Sequence, residues 1–449
     1  MKSADKTNYL FSQRDLVALI VPLIVEQFLA VAVGMADTIM VAAAGESAVS
    51  SVSLVDTINV LLINIFSALA TGGAVVCGQF IGKKERENAC AAADQLMLFT
   101  VVFSLAVMIL IYILKGWILT TVFGKIEPDV MAGANTYIMI VTASIPFIAI
   151  YNSGAALFRT MGNSNISMIT SFLMNGINIV GNAIMIYGMK LGVVGAAVPT
   201  LVSRIVAAAV IYILALNPKF IISLSKRPTF RTDFRYVRKI LYIGVPNGLE
   251  GSMFQLGKIM VLSLVSTFGT SAIAANAVAN NIATFQTLPG IAVGLALVTV
   301  VSRCVGASDY KQARYYTRRL IAAAYIGIII MNIAIYLLLP TFLHGYNLSP
   351  ETYSSAHKIL LYHGLMSMII WPPAFSLGNT MRAANDVKFT MISSILSMWI
   401  FRIFFSYVIG KYMGLGVFGV WVAMTIDWAV RAVCFVCRYL GHKWELHKI

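Results

Sequence analysis

Ionisable side chains interrupt stretches of this sequence that are otherwise apolar. They are Glu26, Asp37, Asp56, Arg204, Glu250, Lys258, Arg402, Asp427 and Arg431. An ionised Asp, Lys or Arg in hydrocarbon costs about 2.5 to 3.5 kcal/mol even on lenient insertion scales, so such residues usually face a bundle interior or an aqueous cavity. Each of them is therefore a candidate for binding an ion or a substrate.

Some of these side chains also have a purely structural interpretation. Asp427 and Arg431 lie four residues apart, where they can pair on one helix. Arg204 and Arg402 can cap backbone carbonyls or pair across helices. Asp56 stands near the end of its apolar stretch, where we expect it merely to be hydrated.

Three other polar residues are expected to lie at the same depth in the membrane as Asp37. It lies about five residues before the end of its apolar stretch, Asn178 and Asn182 lie within about ten residues of the end of theirs, and Thr200 lies about seven residues into the next. At a rise of about 1.5 Å per residue these side chains reach a similar level, and the two asparagines share one helical face. A carboxylate, two amide carbonyls and a hydroxyl suit a hard cation such as Na⁺, or a proton held on Asp37. Alternatively, the asparagines only join neighbouring helices.

Four further side chains are candidates to line a substrate cavity. Glu26 precedes Asp37 by close to three helical turns, so both face the same side of one helix. Glu250 and Lys258 lie about two turns apart on roughly one face. The alternative for Glu250 is a buried network with Arg402 that fixes packing.

The composition places these residues in a membrane. Of 449 residues 59% are hydrophobic and 11% are charged, whereas a soluble domain is about a quarter charged. About twelve apolar stretches can each cross a hydrocarbon core about 30 Å thick, and they lack the alternation of barrel strands. We therefore predict an all-α polytopic membrane protein with twelve transmembrane helices. The predicted spans 1 to 12 are 16–42, 53–78, 92–114, 134–158, 166–188, 193–216, 239–268, 274–302, 317–339, 356–380, 388–410 and 416–438.

Basic residues decide the predicted orientation. The formal net charge is +15, which in a soluble domain would suggest nucleic acid. Here Lys and Arg collect in the N-terminal segment, at 83–86, at 226–239, at 311–319 and in the tail, which are alternate connections between spans. This positive-inside pattern predicts that both termini are cytoplasmic and that no nucleic acid is bound. The histidines are scattered, so we predict neither an enzyme nor a cofactor.

A repeat at one fixed offset divides the chain. VPLIVEQ resembles VPNGLEG, GKKERENA resembles GASDYKQA, and MKLGVVGAAV resembles MGLGVFGVWV, each pair lying 224 residues apart. Six spans is an even number, so two copies enter the membrane the same way, related by a pseudo-two-fold axis along the membrane normal, as in some secondary transporters. We predict an N-terminal lobe at 1–216, a cytoplasmic linker at 217–238 and a C-terminal lobe with a short tail at 239–449.

Several motifs in the sequence are similar to motifs of one known protein family. They are GMADTIMVAAAG in span 1, CGQFIGKKERENA after span 2, FRTMGNSN after span 4, NGINIVGNAIMIYG in span 5, GVVGAAVPT in span 6 and GVPNGLEGSMFQLGK in span 7. Over essentially its whole length the sequence resembles the multidrug and toxic compound extrusion (MATE) family. The resemblance implies a secondary active antiporter of the bacterial cytoplasmic membrane, which expels cationic, amphipathic drugs against Na⁺ or H⁺ influx by alternating access.

The resemblance also implies roles for particular residues. Asp37 is similar to the family's essential carboxylate, with Asn178, Asn182 and Thr200 as its neighbours, and Glu250 is similar to the acid of helix 7. Some members carry Asp where this chain has Asn182, which affects cation preference. Members with a Na⁺ site in the C-terminal lobe have an Asp in helix 10, and span 10 has none, so a site built on Glu250 is incomplete.

Two other functions remain open at this point. A lipid-linked saccharide flippase shares the broad architecture, and we expect it to have a more basic cavity and extra helices. A channel is disfavoured by duplicated lobes with central polar residues. For the exporter we expect small cationic drugs and the lipid bilayer as partners, a monomeric state, and no cofactor besides the coupling ion.

Overall fold

The computed structural model describes residues 9–122, 127–226, 232–346 and 348–447, and these are almost entirely helical. The basic residues Lys2, Lys6, Arg227 and Arg231 used in the orientation argument lie outside the described residues. The predicted fold class is confirmed.

Six helices form the first half of the chain. They are α1 Gln13–Ala42, α2 Glu46–Gly82, α3 Arg86–Trp117 with a π-helical turn Ile118–Val122, α4 in two segments Pro128–Ala143 and Ile145–Thr160, α5 Ser164–Asn182 with a π-helical turn Ala183–Gly188, and α6 Gly192–Ala215.

Six more helices form the second half. They are α7 Phe234–Ser266, α8 Thr270–Gly306, α9 Tyr310–Gly345, α10 Pro350–Trp371 continued by a π-helical turn Pro372–Ser376 and by Leu377–Ala383, α11 Val387–Leu396 with π-helical turns Ser397–Ile403 and Ser406–Tyr412, and α12 Gly416–Leu440. A 3₁₀ turn, Lys443–Leu446, follows.

Most of these helices are long and apolar enough to cross a membrane. Among the described residues ten qualify, and α4 becomes an eleventh when its two segments, bent by 44°, count as one span. The twelfth, α7, has 33 residues, more than the roughly 20 needed. Its polar residues Asn247, Glu250, Gln255 and Lys258 reduce its apolar character.

The bend of α4 has a local cause. Pro146 stands in the first turn of the second segment, and proline has no N–H to give to the preceding turn. The hydroxyl of Ser144 at the break donates to the carbonyl of Val141 at 2.6 Å. A fully buried polar side chain is thereby held in the middle of the helix.

The chain divides into two compact units. The first unit is Val17–Gly248, and the second is Leu249–Ile449 together with the residues up to Leu16. The divisions therefore fall inside α1 and α7. The lobe boundaries predicted from the sequence stay a prediction.

The predicted linker at 217–238 packs within the first unit where the structure describes it. The backbone N–H and hydroxyl of Ser225 donate to the carboxylate of Asp94 on α3, at 2.9 and 2.6 Å. The backbone N–H of Asp233 donates to Gln95 Oε1 at 2.9 Å. These hydrogen bonds attach the linker to one helix at two interior positions.

Glycine permits a very close helix approach in the first unit. A Cβ added to Gly72 of α2 would lie 2.5 Å from the carbonyl oxygen of Ile240 and 2.9 Å from the backbone nitrogen of Gly244, both on α7. The two helices thus meet through their backbones, as small residues allow in membranes. A side chain at position 72 would push them apart.

Candidate functional site

The four residues predicted to share one depth form a continuous chain of hydrogen bonds. Asn182 Nδ2 donates to Asp37 Oδ1 at 2.8 Å and lies 3.3 Å from Asn178 Oδ1. Asn178 Nδ2 donates to Thr200 Oγ1 at 3.1 Å. The structure therefore brings these side chains together from α1, α5 and α6, while their role in binding an ion stays a prediction.

Local sequence explains how α5 and α6 come close enough. A Cβ added to Gly181 would lie 2.7 Å from the Cβ of Pro199, so glycine at this position permits the contact. Asn182 and Thr200 directly follow these two residues and are carried into the interface. After Asn182 the helix widens into its π-helical turn, a feature often found at functional sites.

A cavity of about 160 Å³ lies beside this chain in the first unit. Asp37, Asn182 and Thr200 line it, and so do Asp56 of α2 and Tyr137 of α4. This volume is below the range of about 300 to 1,000 Å³ that is usual for drug-sized ligands. It suits an ion and its water ligands.

Asp56 stands beside Asp37, a placement that the sequence did not predict. The expectation that it is merely hydrated stays a prediction, and the structure adds that it shares the cavity with Asp37 and accepts a hydrogen bond from Tyr137 Oη at 3.2 Å. Asn59 stands three residues later, on the same face of α2. This spacing of two polar residues in the sequence indicates that one face of α2 stays polar towards the interior of the helix bundle.

One guanidinium accompanies the two carboxylates. Arg204 of α6 is 8% exposed and donates to Ser144 Oγ at 2.7 Å and to Asn59 Oδ1 at 3.3 Å. It interacts electrostatically with both Asp37 and Asp56. With all three groups ionised, the site carries two negative charges and one positive charge. One monovalent cation or one proton would therefore neutralise it.

The residues fit Na⁺ only after one rearrangement. As arranged, the amide N–H of Asn182 faces Asp37, which stabilises an ionised carboxylate. Rotation of that amide would present its carbonyl oxygen, and the donor set of carboxylate, carbonyls and hydroxyl is then one that hard cations prefer. A proton would need no such rotation, because it would bind Asp37 directly.

Glu26 and Glu250, related by the 224-residue offset, each form a buried ion pair. Arg159 of α4 lies 3.1 Å from Glu26, which also accepts from Ser167 at 2.5 Å. One nitrogen of Arg382 on α10 lies 2.7 Å from both carboxylate oxygens of Glu250. The two glutamates are 5% and 9% exposed, and Glu26 is not among the residues lining the cavity at Asp37.

The alternative that Glu250 forms a network with Arg402 is not what the described residues show. Its carboxylate is engaged by Arg382, a residue that the sequence argument did not consider. Lys258 and Arg402 instead line a separate cavity of about 190 Å³ in the second unit. The local pair is as predicted, since Arg431 lies 3.6 Å from Asp427.

Comparison with known proteins identifies the family. The MatE family model matches residues 22–184 and, a second time, residues 246–408. The chain belongs to the MatE family. Both ends of the second match lie 224 residues after those of the first (246 − 22 and 408 − 184), which confirms the internal repeat found in the sequence. MatE proteins are transporters, so the chain is a multi-pass membrane transporter of the multidrug efflux family.

Relatives of similar length support this assignment. The uncharacterized transporter YisQ of Bacillus subtilis (strain 168) is 26% identical over 99% of this chain and 96% of its own. The probable multidrug resistance protein YoeA of the same organism is 26% identical over 90% and 88%. The probable multidrug resistance protein NorM of Thermotoga maritima is 23% identical over 96% and 93%.

Solved structures share the MatE fold with this chain. A multidrug resistance MATE transporter in an outward-facing conformation has a TM-score of 0.87 at 22% identity, over 98% of both chains. A MOP superfamily transporter from Pyrococcus furiosus has a TM-score of 0.89 at 20% identity, over 97% of both. The latter is described as having a binding pocket of reversed polarity that suggests a different function.

Proposed function

We propose that this MatE protein is a secondary active antiporter, which exports cationic, amphipathic organic compounds from the bacterial cell against influx of Na⁺ or H⁺. The observation that carries the proposal is the hydrogen-bonded chain from Asp37 through Asn182 and Asn178 to Thr200. It stands beside a small cavity with two carboxylates.

The coupling ion acts on the contact between α1 and α5. An ionised Asp37 accepts the amide hydrogen of Asn182, and this bond weakens when a proton or Na⁺ neutralises the carboxylate. Because Asn178 of the same helix also holds Thr200, the change extends to α6. Ion binding then shifts the equilibrium between inward-open and outward-open states, provided that the two states bind the ion with different affinity.

The same charge balance favours a cationic substrate. Asp37 and Asp56 exceed Arg204 by one negative charge when all are ionised. The cavity is too small for a whole drug, so only the cationic group of a drug would meet these carboxylates, where it would compete with the coupling cation. Competition for this charge therefore couples uptake of one cation to release of the other.

A lipid-linked saccharide flippase is less well supported. It would need to hold an anionic, saccharide-bearing headgroup, and the basic cavity at Lys258 and Arg402 has about 190 Å³. This volume is below the range of about 300 to 1,000 Å³ for drug-sized ligands. The acidic cavity of the first unit is also below this range, at about 160 Å³, and its two carboxylates support binding of a coupling cation rather than of an anionic headgroup.

Transport under separately imposed gradients tests the proposal. Protein reconstituted in liposomes should drive ethidium movement under an inward Na⁺ gradient or an inward H⁺ gradient, and none without a gradient. Ethidium movement that neither gradient changes would overturn antiport, and movement of an anionic dye alone would overturn the proposed substrate class.

The proposed orientation has its own test. We expect both termini and the 217–238 linker in the cytoplasm, because basic residues collect in alternate connections. Position 228 lies outside the described residues, so Lys219→Cys is the better probe, with Lys190→Cys between α5 and α6 as its counterpart. Both side chains are exposed.

The two variants are made in protein whose five native cysteines are replaced. A membrane-impermeant maleimide should label Cys at 190 in intact cells and Cys at 219 only after permeabilisation. Labelling at 219 in intact cells would reverse the proposed topology.

A further inference from the structure

The second unit contains a cavity most of whose lining residues correspond to residues that line the cavity at Asp37. Residues of α7, α8, α11 and α12 line it, and the offset of 224 maps most of them onto residues of the first site. The pairs are Gly34 with Lys258, Asp37 with Val261, Asp56 with Asn280, Asn178 with Arg402, and Thr200 with Met424. The second cavity has thus lost two carboxylates and gained an ammonium and a guanidinium.

Positive charge in this region exceeds negative charge. Lys258, Arg402 and Arg431 all lie near one ring, that of Phe254, with cation-to-centroid distances of 5.1, 5.4 and 5.9 Å. Asp427 accepts from Ser397 at 2.5 Å and pairs with Arg431 at 3.6 Å. One carboxylate therefore accompanies three cations in the described part of this region.

Arg402 also has an unused hydrogen-bond donor. Its Nε is buried and has no acceptor among the described residues, and the side chain is 8% exposed. A buried donor left unpaired is destabilising, and more so when the group is charged. A ligand oxygen in the cavity that Arg402 lines would satisfy it. Lys258 lines the same cavity and forms no ion pair with any described residue.

Amide and aromatic groups complete the lining. Asn276 Oδ1 accepts from Trp421 Nε1 at 3.0 Å, and Asn280 Nδ2 donates to the backbone carbonyl of Asn276 at 2.7 Å. The remaining wall is apolar, with Val261 and Met424 among its members. Such a wall would accept the apolar body of a ligand whose charged end meets the cations.

We infer that this cavity binds a small organic carboxylate, with Lys258 and Arg402 holding the carboxylate and Trp421 and the aliphatic side chains holding an apolar body. Arginine presents N–H groups in a geometry that matches carboxylates. The volume of about 190 Å³ restricts the body to a small ring system. The ligand proposed here is an anion, whereas the ligand proposed at Asp37 is a cation. This binding site is therefore additional to the proposed export of cations.

Binding to the purified, full-length protein tests the inference without transport. Isothermal titration calorimetry should show 1-naphthoate binding at least about tenfold more tightly than 1-naphthalenemethanol, a neutral molecule of similar shape, since hydrogen bonds between charged groups are stronger than those of a neutral hydroxyl. Acetate, which has the charge without the ring, should bind more weakly than naphthoate. Equal affinity for naphthoate and the alcohol would overturn the inference.

Variants assign the binding to the cavity. Lys258→Gln should lower naphthoate affinity about tenfold or more, whereas Lys411→Gln, the same charge loss at an exposed position of α11, should not. Lys258→Glu should exchange the preference, so that 1-naphthylmethylammonium binds more tightly than naphthoate. Equal losses in the Lys258→Gln and Lys411→Gln proteins would indicate non-specific attraction and overturn the site. A negative result for naphthoate binding would not affect the test of gradient-driven ethidium export. The two proposals can therefore be refuted independently.

Discussion

Replacing Asp37 by asparagine is expected to reduce ion-driven export to the level of liposomes without protein, while the protein still reaches the membrane in near wild-type amounts. The amide is nearly isosteric and keeps an oxygen that can accept from Asn182 Nδ2, as Asp37 Oδ1 does at 2.8 Å. It cannot take up a proton or carry the negative charge that attracts Na⁺. The variant thus keeps the packing of α1 and loses the group that responds to the ion.

The measurement is ethidium efflux under the driving gradient, combined with an ion-dependent fluorescence change of the purified protein. Both should be lost in the Asp37→Asn protein. Asp129→Asn is the matched control, because Asp129 is an exposed carboxylate at the start of α4, and it should keep both signals. Wild-type drug tolerance in cells that express Asp37→Asn would place the ion site elsewhere.

Replacing Glu250 by glutamine is expected to weaken transport and lower stability, while ion binding at Asp37 is retained. Glu250 and Arg382 form a nearly buried pair, with 11% and 12% of the side chains exposed. Removing one partner of a buried pair leaves the other charge uncompensated and costs about 3 kcal/mol or more. The Asp37 chain belongs to the first unit and Glu250 to the second, so the ion response should survive.

A double-mutant cycle separates pairing from other roles of Glu250. Glu250→Gln combined with Arg382→Gln removes both charges, and thermal unfolding in detergent should show a smaller loss than the sum of the single variants. Strict additivity would show that the pair is not coupled. Loss of the ion response in Glu250→Gln with retention in Asp37→Asn would move the coupling site to the second unit.

Depth in the membrane was predictable from the sequence alone. The number of residues from the end of an apolar stretch sets the height of a side chain, because a helix rises by about 1.5 Å per residue. For that reason Asp37, Asn178, Asn182 and Thr200 were assigned to one level, and the structure places them in one hydrogen-bonded chain. The twelve helices and the 224-residue repeat likewise follow from local composition and similarity.

Lateral neighbours were decided only by the tertiary structure. Which side chains meet depends on how each helix is rotated and packed, and residue numbers along one helix do not specify that. Glu250 therefore meets Arg382 of α10 rather than Arg402 of α11, and Asp56 faces the cavity of Asp37. The π-helical turns after Asn182 and around Arg402 change the rotation of the helix locally. Only the packing of the helices brings Lys258 of α7 and Arg402 of α11 to one cavity. The cavity of the second half is therefore lined by basic side chains, whereas the matching cavity of the first half is lined by carboxylates.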